Sequence, residues 1–103
     1  MAMFLVTLRR NGPEWDASKP LEEQTGWADH AAFMDALVDS GFIVLGGPID
    51  DLRVAHAVEA ASQDEVHATL ARDPWSYSHL RIDTIEDWTI RLDGTRRHVR
   101  RDV

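Results

Sequence analysis

The order of elements along this sequence predicts an α+β fold: a ferredoxin-like β-α-β-β-α-β chain, with four antiparallel strands and both helices on one face of the sheet. Three observations carry that expectation. An apolar stripe at helical spacing, His30, Phe33, Met34 and Leu37, runs into Gly41 and then the β-branched and aromatic run 42–45. A capping-box pattern, Ser62 followed three residues on by Glu65, opens a second helical segment that Pro74 must end. Short apolar or alternating runs occupy the places of the four strands.

Taken in order, residues 4–9 read as the first strand, with Phe4, Val6 and Leu8 on one face and Leu5, preceded by Met3, on the other. A strand apolar on both faces calls for cover on both. Residues 11–24 carry Gly12, Pro13, Trp15 and Pro20 and form a loop long for so small a domain. Loops of that length are often functional, and this one is expected to be a hinged flap with Trp15 closing over a ligand. Thr25 is expected to cap the first helix, whose wet face holds Asp35 and Asp39. Gly46-Gly47-Pro48 is expected to end the second strand, because proline donates nothing to a ladder.

The third strand, about 53–60, is apolar at Val54, Val58 and Ala60, and His56 shares that face. The second helix turns Val66 and Leu70 inward. Leu80 and Ile82 alternate, Ile85 breaks phase, and Trp88, Ile90 and Leu92 alternate again, which means a last strand with a bulge or two short strands. His56 and His79 read as strand residues and His67 as a helix-surface residue. The domain so defined spans 1–92, and the arginine-rich stretch 93–103 reads as a solvated basic tail.

A chain of 103 residues makes one domain, able to bury about 60–65% of its unfolded surface. Without cysteine it has no disulfide, thiolate metal site or cysteine nucleophile, which fits a cytoplasmic location. The apolar start has no basic stretch before it and reads as a strand, neither a signal peptide nor a membrane span. A formal net charge of −7 argues against nucleic acid as a partner.

The predicted topology also says where chemistry gathers. With the first strand running up, the first helix starts at the top, the second strand ends there, and the second helix ends there. His30, Gly47-Pro48 and Asp73 therefore converge on one edge, beside the loop 11–24. Asp73 lies at a helix C-terminus, where the dipole disfavours a carboxylate. A histidine within reach relieves it, and the carboxylate in turn sets that ring's tautomer. Trp15, Trp27 and Trp75 fall beside the same edge and can wall a pocket for a flat ligand. The plain alternatives are a core imidazole bonded to a carbonyl, an ordinary Asp-Pro helix exit and a turn. No two histidines have the i, i+4 spacing of a zinc site, so no metal and no cofactor is expected.

These residues are similar to those of the YciI-related (YCII domain) family. The resemblance rests on His30 with Gly41 eleven residues on, then Gly47-Pro48, then Ser62 and, eleven on, Asp73-Pro74 with aromatic Trp75. It implies a ferredoxin-like fold that dimerises into an α/β barrel, with His30 and Asp73 paired in its site. Most such proteins have no assigned activity. A few resemble enzymes of chloroaromatic breakdown, and muconolactone isomerases share the wider fold. Here Trp27 stands where the family often has arginine, Asp87-Trp88 stands where proline and an aromatic are usual, and the arginine tail is additional.

The function expected from all this is acid–base chemistry on a small cyclic or aromatic metabolite, of isomerase, lyase or dehalogenase type. His30 moves the proton, Asp73 orients it, and Gly47, Pro48, Trp75, Trp15 and Trp27 bind the substrate. The alternative is a non-catalytic ligand-binding or assembly module of the same fold. In either case the open sheet face is expected to pair two copies in a homodimer burying at least about 1,200 Å².

Overall fold

Alternation along strand β1 (Ala2–Arg9) puts Phe4, Val6 and Leu8 on one side of the sheet, and all three are buried. The structure, a computed structural model, describes residues 1–96. β1 is central, pairing antiparallel with β3 (Arg53–Ala60) on one side and β4 (Arg81–Asp87) on the other. β2 (Ile43–Pro48) adds antiparallel to the far edge of β3, giving the order β2-β3-β1-β4. Helices α1 (Trp27–Asp39) and α2 (Gln63–Leu70) complete an α+β domain. Leu37 of α1 and Val66 and Leu70 of α2 join one core with Phe4, Val6, Leu8, Val58 and Ala60, so both helices cover the same sheet face. No helix among the described residues is long and apolar enough to cross a membrane.

The helix ends follow local chemistry. Gly41 takes the left-handed exit from α1, at φ +84°. The Glu65 N–H donates to Ser62 Oγ at 3.1 Å, while the Glu65 carboxylate accepts from Ala61 N–H instead of Ser62. The start of α1 corrects the sequence reading. Gly26, at φ +75°, is the capping residue, and the Thr25 hydroxyl bonds His79 instead.

Along the strands, some expectations change and one open alternative is decided. Gly46-Gly47-Pro48 does not close the strand from outside but forms its last three residues, paired with His56, Ala55 and Val54. β2 is an edge strand, so the N–H that proline lacks has no ladder partner to miss. The phase break at Ile85 is a bulge: the register shifts between Thr7 and Leu8, leaving Asp83 as the extra residue. Ile82 then faces Leu8 and Ile85 faces Val6, both on the helix side. The strand stops at Asp87, with one more bond from Trp88 N–H to Met3 O. Ile90 and Leu92 are exposed. Of the expected basic tail, a short 3-10 turn at Gly94–Arg96 is described, and 97–103 lie outside the described residues.

Candidate active site

His30 sits at the fourth position of α1, on the stripe that continues through Phe33, Met34 and Leu37. The residue is 7% exposed. Asp73 lies three residues past the end of α2, its N–H bonded to Leu70 O, and is 8% exposed. The two meet as the topology predicts: His30 Nδ1 is 2.9 Å from each oxygen of the Asp73 carboxylate. Oδ1 also accepts the Trp75 N–H at 2.9 Å. An ionised carboxylate only accepts, so Nδ1 is the protonated nitrogen and Nε2 of the neutral ring carries the lone pair.

Trp75, 1% exposed, holds that geometry. Its indole stacks on the His30 ring at 4.1 Å and 8° between planes. It also stacks on His79 at 4.5 Å and 17°, and its N–H donates to Thr25 O at 2.8 Å. His79 is tied by both ring nitrogens, to Ser78 Oγ at 2.8 Å and to Thr25 Oγ1 at 3.0 Å. It lies in the turn before β4, and not in a strand as expected.

His30, Asp73 and Trp75 open on a cavity of about 280 Å³ between the helices and the sheet. Trp27, Met34, Leu70, Leu8, Val54, Ile82 and Pro48 supply apolar wall, and His56 faces in from β3. Arg10, His67, Tyr77 and Arg81 also line it. Of the residues singled out from the sequence, His30, Asp73, Trp75, Trp27 and Pro48 come together here.

Gly47 and Trp15 do not line it. Gly47 pairs with Ala55, on the sheet face away from His56 and Val54. Trp15 packs edge-on against Trp75 and His79, at 6.0 and 6.5 Å, with the Arg10 guanidinium 5.0 Å from its own ring. It braces the stack and does not touch the cavity. The loop 11–24 is likewise fastened down, unlike the hinged flap expected. Gly12 N–H donates to His79 O and Glu14 N–H to Ser78 O. Buried Gln24 bonds the backbone of Asp16 and Lys19. A Cβ at Gly12 would lie 2.3 Å from Ser78 O, so only glycine allows this approach.

The chain matches no family model, no curated protein and no solved structure. The chemistry of the site therefore rests on its own geometry.

Electrostatically the surroundings disfavour further positive charge. Burial holds His56 below the ordinary imidazole range, and the neighbouring His30 adds to this while Asp73 opposes it. Burial also lowers His79, against the pull of Glu14. Among the described residues no three His, Asp or Glu side chains are grouped to hold a metal ion. What the arrangement can do is accept a proton at His30 Nε2 from a molecule in the cavity, with Asp73 stabilising the imidazolium formed. Sequence reasoning did not assign His56 or Arg10 to the site. The signal for His56 was present, as a polar ring on an otherwise apolar strand face. Arg10 lies beyond the end of β1, where no period marks it.

Proposed function

We propose that the chain is a small-molecule enzyme of acid–base type, acting on a cyclic or aromatic metabolite through His30 as proton carrier and Asp73 as its orienting partner. The observation that supports this best is the forked His30–Asp73 bond in the wall of an apolar cavity, with one ring nitrogen committed and the other left over. Positioned proton transfer of this kind is worth about 10²–10⁴-fold in rate. The resemblance to the YciI-related family supports the same pair in the same role. Isomerisation or elimination at an activated carbon acid fits a site whose working group is an imidazole paired with a carboxylate.

The ferredoxin-like description and a two-fold homodimer belong to the same proposal. Leu5, Leu45 and Ala57 share the sheet face opposite α1 and α2, and Leu45 is 58% exposed. A cytoplasmic location accords with the absence of cysteine.

The test is exchange of carbon-bound hydrogen for deuterium, followed by proton NMR in D₂O over a panel of lactones, cyclic ketones and catechols. The expected result is chain-dependent exchange in at least one compound, lost in His30→Gln. Binding without exchange, unchanged in His30→Gln, would establish the non-catalytic module instead.

A further inference from the structure

Among the described residues, every buried polar side chain near the cavity is satisfied except one. Gln24, His30, Asp73 and His79 all have hydrogen-bond partners, whereas His56, 8% exposed, has a buried Nδ1 with none. Leaving such a group unpaired carries the desolvation cost with no hydrogen bond to offset it. Packing alone does not call for it, since its neighbours on that face of β3 are Val54 and Val58. The strand beside it is shaped around the ring. His56 pairs with Gly46, where a Cβ would fall 1.9 Å from Nδ1. Only a residue without a side chain lets the imidazole lie against β2.

That placement determines what the ring offers. Nδ1 is covered by β2 and meets no acceptor, and a buried lone pair is tolerated more readily than a buried N–H. The hydrogen therefore belongs on Nε2, the nitrogen left to the cavity that His56 lines. Burial keeps the ring uncharged near neutral pH. The cavity wall thus holds two imidazoles of opposite polarity: with Nδ1–H committed to Asp73, the uncharged form of His30 presents a lone pair, and His56 presents an N–H.

We propose that His56 is a second ligand contact in this site, donating Nε2–H to a carbonyl oxygen, so that the cavity takes small, flat carbonyl compounds with an acidic C–H beside the carbonyl. The inference rests on the acid–base reading of His30 and names the substrate class for it. In the step implied, His30 Nε2 takes the proton. The electron pair of the broken C–H bond becomes the new carbon–carbon π bond, and the carbonyl π pair moves onto oxygen. That oxygen, now enolate-like, accepts the His56 hydrogen bond more strongly than the ketone did. Returning the proton from His30 to a different atom of the enolate, either its oxygen or a conjugated carbon as the carbonyl re-forms, completes an isomerisation with no oxidant or other reactant needed.

The test uses ¹⁵N-edited NMR of the full chain, free and with 4-nitrophenol, whose ionised form places an enolate-like oxygen on a small flat ring. The expected result is His56 as the neutral Nε2–H tautomer in the free chain, with its Nε2 resonance moving saturably as the phenolate is added. His56→Gln should bind the phenolate about tenfold or more weakly, the loss expected for a hydrogen bond to a charged acceptor. His30→Gln should bind it within a few-fold of the parent chain. Should His56→Gln not fold, Gly46→Ala displaces the same ring from β2 and serves in its place. Finding Nδ1–H on His56, an unmoved His56 resonance at saturation, or no saturable binding would overturn the proposal. The acid–base reading is read separately. Deuterium exchange lost in His30→Gln but kept in His56→Gln would retain that reading and remove His56 from it.

Discussion

Asp73→Asn separates the two tasks the carboxylate performs. In the native site Oδ1 accepts from both His30 Nδ1–H and Trp75 N–H, each at 2.9 Å, while Oδ2 lies at the same distance from Nδ1. Asparagine keeps an oxygen at the Oδ1 position and replaces Oδ2 by an NH₂ group. The Trp75 N–H keeps its acceptor and His30 Nδ1 keeps a partner in either tautomer, so the fold should persist. One charge-assisted bond becomes neutral, a cost of about 1–2 kcal/mol. For a domain of this size that lowers the melting temperature by about 4–16 °C. The tautomer, however, is no longer dictated. An amide NH₂ 2.9 Å from Nδ1 can donate to it, moving the ring hydrogen to Nε2 and removing the base from the cavity. Activity should fall by about 10²–10⁴, far beyond what lost stability explains. Asp73→Ala is the control. It leaves His30 Nδ1–H and Trp75 N–H both buried and unpaired, and breaking a buried pair this way costs about 3–5 kcal/mol. Urea unfolding ranks the two variants, and ¹⁵N NMR reads the His30 tautomer. Equal destabilisation by asparagine and alanine, or an Asp73→Asn chain whose His30 keeps Nδ1–H, would refute this account.

Trp75→Ala should cost about 3–5 kcal/mol by urea unfolding, since it empties a fully buried site between stacked rings, whereas Trp88→Ala, half exposed, should cost far less. Gly46→Ala should destabilise by about 1–3 kcal/mol because His56 must move, while Gly47→Ala, with open space around its Cβ, should stay within about 0.5 kcal/mol, and equal effects would contradict the packing of His56 on β2. His56 and His79 both titrate below 6.5 in the folded chain, so below that pH the unfolded chain binds more protons and stability falls on acidification. Chemical denaturation across that range should show the loss, and His56→Gln should flatten it. Light scattering at micromolar concentration should give a dimer, and Leu45→Glu, on the open face, should dissociate it.

What was legible in the sequence is what short-range order encodes. The 3.6-residue stripe from His30 to Leu37, the Gly41 exit and the Ser62–Glu65 box each depend on residues within a turn or two of one another. From the order of those elements alone, His30 and Asp73 belong at the same edge. The pair, 43 residues apart, was therefore readable as a juxtaposition of helix ends. The phase break at Ile85 was readable too, though choosing a bulge over two strands required knowing what β1 offers opposite it.

The rest was settled by contacts between segments distant in sequence. Gly46-Gly47-Pro48 stays in a strand because β2 is an edge, and being an edge is a property of the whole sheet. Whether Trp15 closes over the cavity or braces Trp75 from outside it depends on which way loop 11–24 folds, which the backbone of residues 78 and 79 decides. His79 stacks on an indole four residues before it only because the turn between them doubles back. His56 is a packing ring or a ligand contact according to what β2 places against it, and a glycine ten residues upstream carries no period that would say so. Local pattern determines elements because a helix or strand averages over many neighbouring residues. A site depends on single atoms from several elements, and only the packed fold brings those atoms within reach.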